Sequence, residues 1–295
     1  MRIVILSLAF LALLSSPLFA ARDWHYSFWS DNPQKYLEVI ESQPAPPIRP
    51  HPGTVRAGIV THHFLAHRLM VDFFQELKMC SSPKEILLIG PNHYRQGIQP
   101  ISLSSLPWRT PFGPLGTDRS FIARIQTRLG LPEDPDAFSG EHSLGVLIPF
   151  IKFYFPDSKI VPVLLKPDLS EPMLEGLGDQ LFEFLSEPSH IIILSMDFSH
   201  DSTAETADAA DQAAQEVITF LQDDQASSLQ VDCRNGLRVL LKTLRRLGQV
   251  QADFRDHTNS ATLTGHKNQT NVTSYFTILF RQRPQPSPPP SLNDR

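Results

Sequence analysis

The chain has 295 residues, with 26 Lys+Arg against 31 Asp+Glu, a formal charge of −5 and 41% hydrophobic residues. That composition supplies a sizeable core and excludes wholesale disorder. A mildly acidic balance with no long Lys/Arg run argues against nucleic acid as a partner, because phosphate binding needs a basic footprint.

Residues 1–21 read as a secretory signal peptide. Met1-Arg2 gives a short positive start, Ile3 to Leu14 an apolar run, and Ser15 to Ala21 a small-residue exit. The run is too short for a comfortable membrane span, and nothing later has the length of one. The expectation is an exported, periplasmic or secreted, protein with no span once the leader is cut; without a functional leader it is cytoplasmic. Residues 22–54 carry six prolines and are expected to form an extended lead-in. Residues 55–282 are the α/β domain. Residues 283–295 are a Pro-rich tail without apolar periodicity, expected to be disordered.

Within the domain, apolar runs of strand length alternate with amphipathic stretches. Residues 57–61, 85–90, 98–103, 159–165, 190–194 and 271–280 read as strands. Residues 64–77, 118–129, 144–155, 203–221 and 235–247 read as helices. The pattern predicts one layered α/β domain, with a largely parallel or mixed central sheet flanked by helices.

Eleven histidines are the unusual part of the composition. Three polar clusters each follow directly on a predicted buried strand: Thr61-His62-His63, Gly90-Pro-Asn-His93-Tyr94, and Ser195-Met-Asp197-Phe-Ser-His200. In open α/β sheets ligands bind outside the carboxyl ends of the strands. If these strands are parallel neighbours, His62, His93, Asp197 and His200 meet on one rim. Glu141-His142-Ser143 opens a helix and can join them. Clustered imidazoles and carboxylates are the material of metal sites. His51, His63 and His67 read as packing or surface residues, and His257 and His266 as solvated residues of a polar loop. A Gly-x-Ser-x-Gly elbow, a dinucleotide fingerprint and a P-loop are all missing from the sequence, so those chemistries lack their anchors. Asn268-Gln-Thr270 and Asn271-Val-Thr273 match glycosylation acceptors, a common chance pattern.

The order of motifs resembles the Memo family, also called the AmmeMemoRadiSam system protein B family. The pieces that carry the resemblance are Arg56-Ala-Gly-Ile-Val-Thr-His62, Ile89-Gly-Pro-Asn-His93, Trp108-Arg-Thr-Pro-Phe-Gly-Pro-Leu115, Glu141-His142-Ser143, Ser195-Met-Asp197-Phe-Ser-His200 and Asp232-Cys233-Arg-Asn-Gly236. The resemblance implies a fold similar to class III extradiol dioxygenases. It implies metal ligands at His62, His93 and Cys233, with His142, Asp197 and His200 as catalytic or pocket residues beside them. The implied metal is iron or copper, with zinc as an alternative. The implied activity is redox or oxygen-using, acting on an unidentified small molecule or peptide. A non-catalytic metal- or peptide-binding module and a metal-assisted hydrolase are the rival readings. The resemblance also implies a functional link to a radical SAM protein and an AMMECR-type protein. The chain departs from the family pattern at His63-Phe64, where the family has Ala-Gly, and at Tyr94, where a second histidine is common. Cys80 ends the first long predicted helix, far from a Cys233 at the metal, so both thiols are expected to be free.

The leader makes a direct prediction. Intact-mass analysis of the exported fraction should find a chain beginning near Ala21 or Arg22. Recovery of only full-length protein from the cytosol would reject it.

Overall fold

The computed structural model describes residues 23–44, 53–200, 203–266 and 270–283. The residues read as a leader, most of the Pro-rich tail, His51 and Asn268 lie outside this set. In chain order the elements are β1 (His25–Tyr26), α1 (Pro33–Glu41), β2 (Thr54–Val60), α2 (His67–Cys80), β3 (Glu85–Pro91), β4 (Ile101–Leu103), β5 (Trp108–Thr110), β6 (Gly113–Leu115), α3 (Arg119–Leu129), α4 (His142–Gly145), α5 (Ile148–Tyr154), β7 (Lys159–Leu165), α6 (Glu171–Phe184), β8 (His190–Ser195), α7 (Ala204–Thr219), α8 (Arg234–Leu247), β9 (Val250–Asn259), α9 (Ser260–Thr264) and β10 (Ser274–Gln282).

The central sheet has the order β4-β7-β3-β8-β2-β10-β9. Its middle four strands, β7, β3, β8 and β2, are parallel; β4 pairs antiparallel with β7, β10 with β2, and β9 with β10. The sheet is therefore mixed, and helices cover both faces of a single domain. Alternate residues of each parallel strand serve opposite faces. Leu87 and Ile89 join Leu194, Val163 and the apolar sides of α3, α6 and α8. Ile86 and Leu88 join Ile193, Leu164 and those of α1, α2 and α5. Burial on both faces explains why these strands read as unbroken apolar runs.

The lead-in is not wholly extended. Asn32 caps α1 by accepting from the Gln34 amide, and Pro33 sits at the first helical position, where its missing N–H costs nothing. Tyr36 and Ile40 then enter the core. Upstream, β1 pairs with β5 in a small three-stranded sheet. Prolines alone predicted an extended path; a helix start uses the same residue.

Two other expectations are corrected, and one helix was not anticipated. Residues 98–100 do not join the third strand; β4 begins at Ile101, and Ile98 is 82% exposed. Residues 171–184, with Gly176 and Gly178 inside, form α6. A methyl group at Gly176 would meet Leu129 of α3 at 2.7 Å, so this glycine allows close helix packing. Residues 250–259 form the edge strand β9 rather than a polar loop. There His257 is not simply solvated: Nε2 contacts the Asp211 carboxylate at 2.8 Å, and the ring stacks on Phe276 at 4.0 Å. The exposed side of an edge strand is polar, which hid it. Both cysteines are free.

Gly58 of β2 has no space for a side chain: a methyl group would lie 2.6 Å from the ring of Phe73 on α2. Gly58→Ala should cost about 1–3 kcal/mol by overpacking. Adding Phe73→Leu should recover part of that loss in urea unfolding. Full stability of Gly58→Ala would contradict this packing.

Candidate metal centre

The strand order β3-β8-β2 places three carboxyl ends side by side. Val60 is level with Ser195, and Ile89 with Leu194. The next residues of each strand therefore share one rim. His62 follows β2, His93 follows β3 and Asp197 follows β8. His142 is brought in by α4, which packs directly on β3. Gly90 permits this, since a methyl group there would lie 2.9 Å from Ser143 Oγ and 2.7 Å from Leu144.

The imidazoles are held by bonds that fix their tautomers. Glu141 caps α4 by accepting from the Ser143 amide at 2.9 Å, and also accepts from the His93 amide at 2.8 Å. The same carboxylate faces His93 Nδ1 at 3.0 Å. A carboxylate only accepts, so His93 carries its hydrogen on Nδ1. His62 Nδ1 lies 2.9 Å from Ser195 Oγ. The Ser195 hydroxyl is already donated to the carbonyl of Ser143. His62 must then donate from Nδ1. In their neutral forms both rings turn an Nε2 lone pair inward, as metal-binding histidines do.

Facing these lone pairs is Asp232, in the loop before α8. Asp197 and Asp232 brace each other: the Asp197 amide donates to Asp232 Oδ1 at 3.1 Å, and the Asp232 amide to the Asp197 carbonyl at 3.2 Å. Asp197 also accepts from the Thr61 hydroxyl and, at 3.3 Å, from the His62 amide. Asp232 Oδ2 lies 3.2 Å from His62 Nε2, 3.5 Å from His93 Nε2 and 3.8 Å from His200 Nε2. It is nevertheless a buried oxygen with no aligned hydrogen bond. Such an orphan requires an explanation, and a cation among the ring nitrogens supplies one.

Two donor groups converge within 4.8 Å among the described residues: His62, His93 and His142, and His62, Asp197 and Asp232. Cys233 belongs to neither. It is 3% exposed, and its Sγ points toward the spot where a Gly236 methyl would lie, alongside Leu194 and Ile89. It does line the same cavity as His93 and Asp232. His200 is at the outer edge with its side chain 42% exposed. His63 turns away, its Nδ1 2.5 Å from the Tyr275 hydroxyl, and His67 Nδ1 lies 3.0 Å from the Phe64 carbonyl. Asp232 and Ser195 are the residues that motif reading passed over as donors or braces. Asp232 stood in plain view beside Cys233, but a lone aspartate before a helix reads as a cap.

The electrostatics follow from this crowding. Burial works against a charge on His93, but the Asp232 and Glu141 carboxylates outweigh it and lift it to about 9. His62 is also raised: burial opposes its charge, and Asp197 and Asp232 more than offset that. His142 goes the other way, down to about 4, through burial and the charges of His62 and His93. Burial would raise Asp232, yet the two imidazoles hold its carboxyl far below the usual range. Burial and the Asp232 charge push the Cys233 thiol well up.

A family model described as Memo-like protein matches residues 26–279. The chain is 29% identical over 244 residues to a MEMO1 family protein of Pyrobaculum aerophilum, covering 79% of this chain and 82% of that one. It is 31% identical over 198 residues to one of Caldivirga maquilingensis, covering 66% and 64%. It is 28% identical over 257 residues to one of Methanosarcina mazei, covering 82% and 88%.

The raised His93 predicts a sign. In metal-free protein its stabilisation is complete below about pH 6.5, the ordinary histidine value, and is lost as pH rises through about 9. The urea midpoint of chelator-treated protein should therefore fall between pH 6.5 and 9.5, and His93→Gln should flatten that fall. A midpoint independent of pH in the parent protein would contradict the arrangement.

Proposed function

The chain belongs to the Memo-like protein family, and from that premise and the geometry of the rim we propose a mononuclear transition-metal protein. His62 and His93 bind through Nε2, and Asp232 Oδ2 completes the set. The observation that carries this reading is the convergence of two imidazole Nε2 atoms, 3.2 and 3.5 Å away, on one buried Asp232 oxygen that has no aligned hydrogen bond. Two histidines with one carboxylate and open positions suit iron in oxygen chemistry, and suit zinc as well. A second set replaces Asp232 by Cys233, as the family resemblance implies. The position of Cys233 in the lining of the same cavity favours it. A thiolate would shift the preference toward copper.

When bound, the metal supplies Lewis-acid or redox chemistry at positions that can take dioxygen or a substrate. The chain's own residues do the rest. Glu141 and Ser195 orient the two imidazoles. Asp197 fixes the loop that carries His62. His142 stands beside both rings, its centroid 5.3 Å from His62 and 4.4 Å from His93, with the Tyr94 hydroxyl 3.4 Å from its Nδ1, and can exchange a proton with a substrate there. His200, at the mouth, can pass it toward solvent. The reaction class that fits is oxygen-dependent oxidation of a small molecule or peptide, in line with the dioxygenase-like fold that the family resemblance implies. An exported protein would meet that substrate outside the cytoplasm. Tightly held zinc with ester hydrolysis would point instead to a hydrolase, and metal without turnover to a binding module.

Elemental analysis of protein purified without chelator should give about one iron, copper or zinc per chain. His62→Ala and His93→Ala should each abolish most of it, while His67→Ala should keep it. Asp232→Asn and Cys233→Ser separate the two donor sets, and a thiolate charge-transfer band that disappears only in Cys233→Ser would assign the sulfur. Equal metal in the His62, His93 and His67 variants would end the proposal.

A further inference from the structure

The cavity beside the rim has a volume of roughly 400 Å³. That is the size of a site for a small organic molecule. It is lined by His93, Asp232 and Cys233 and by Arg95, Lys166, Arg234 and Asn235. Cys233 is buried and the Asp232 side chain 10% exposed, while Arg95 and Arg234 are exposed, so the cationic residues form the outer wall. Among the described residues Asp232 is the only carboxylate residue in the lining, and its side chain is 10% exposed. Three cations on one wall are not the chain's average, because the whole chain has a formal charge of −5.

Their partners matter. Arg95 pairs with Asp168 at 2.7 Å, and both side chains are mostly exposed. Lys166 Nζ donates to the Gly97 carbonyl at 2.8 Å, and Arg234 Nε donates to the Leu229 carbonyl at 2.8 Å. These bonds position the two side chains without neutralising them. Among the described residues neither Lys166 nor Arg234 belongs to an ion pair, in contrast to Arg238, Lys242, Arg245 and Arg246 of α8, each of which pairs with a carboxylate. Asn235 is fixed by donating from Nδ2 to the carbonyls of Lys166 and Pro167, which ties the start of α8 to the end of β7.

We propose that the outer wall is an anion subsite. Lys166 and Arg234, assisted by Arg95, take a carboxylate or phosphate group of the substrate, and the remainder of that molecule reaches inward to the rim. The substrate class is thus a small organic anion. The inward half of this statement rests on the metal reading; the subsite itself does not. Arg234 commits only Nε to the Leu229 carbonyl, and a guanidinium's remaining N–H groups suit a planar or tetrahedral oxyanion over a halide. Two fixed cations also favour anion entry over the chain's net negative charge.

The test uses inorganic phosphate and acetate as probes, in chelator-treated and in zinc-loaded full-length protein. Phosphorus-31 line broadening reads phosphate, and saturation transfer to the methyl group reads acetate. Binding should appear in the millimolar range in both forms of the protein. Lys166→Gln and Arg234→Gln should each weaken it about tenfold, the loss expected for one charge-assisted bond. Arg234→Lys should weaken it less, and Arg124→Gln, far from the cavity, not at all. Stronger phosphate binding assigns a phosphoryl substrate, and stronger acetate binding a carboxylate. Equal binding in the Gln variants and the parent would overturn the subsite. So would binding seen only with zinc and lost in His62→Ala, which would place the anion on the metal. If the protein takes up no metal but the Gln variants still lose the anion, the metal reading fails and the subsite stands.

Discussion

Two imidazoles have committed their Nδ1 hydrogens to Glu141 and Ser195, and their remaining lone pairs face one buried carboxylate oxygen. Lone pairs aimed at an anion repel, so this arrangement needs a positive charge at its centre. Without a metal, protons supply it, which is why His62 and His93 rise while Asp232 falls. With a metal, the same three atoms become ligands. The remaining polar groups of the rim adjust to this demand. Asp197 braces Asp232 and the His62 loop, and Glu141 serves at once as helix cap and histidine clamp.

The sheet makes this possible at little cost. Four parallel strands buried on both faces are stiff, and their carboxyl ends are level by hydrogen-bond register. Side chains that follow such ends are placed by the backbone rather than by loop packing. Besides Ser274 of β10, which bonds to Phe198 and Ser199, two supports come from outside the parallel strands. The first is α4, seated closely because Gly90 has no side chain, and the second is the turn into α8, which carries Asp232 and Cys233.

That second support also builds the cavity. The loop before α8 closes against the ends of β3 and β7, with Asn235 bonded to the Lys166 and Pro167 carbonyls. One segment thereby presents an acid to the inner end and a cation to the outer wall. Asp232 and Arg234, separated only by Cys233, would divide the cavity into a cation-seeking half and an anion-seeking half. Such polarity orients a small molecule as well as binding it.

Much of this was legible in the sequence. Continuous apolar runs marked β3, β7 and β8 to within a residue and β2 without its first three residues, because burial on both faces leaves no polar alternation to confuse. Histidine after three such runs pointed to His62, His93 and the Asp197–His200 turn, and Glu141 before an apolar helix read as its start. The sequence concealed β9, whose exposed edge looks like a loop, α6, whose glycines serve contact with α3, and α1, whose proline starts a helix. It also brought forward Cys233, through the family resemblance, and not Asp232. They are neighbours in the chain, and only the turn into α8 decides that the carboxylate faces the ring nitrogens while the thiol faces Leu194 and Gly236. Local pattern determines which residues are buried and where strands end. The direction of a side chain at a loop-to-helix junction depends on what packs against it from distant parts of the chain, and that is settled by tertiary structure alone.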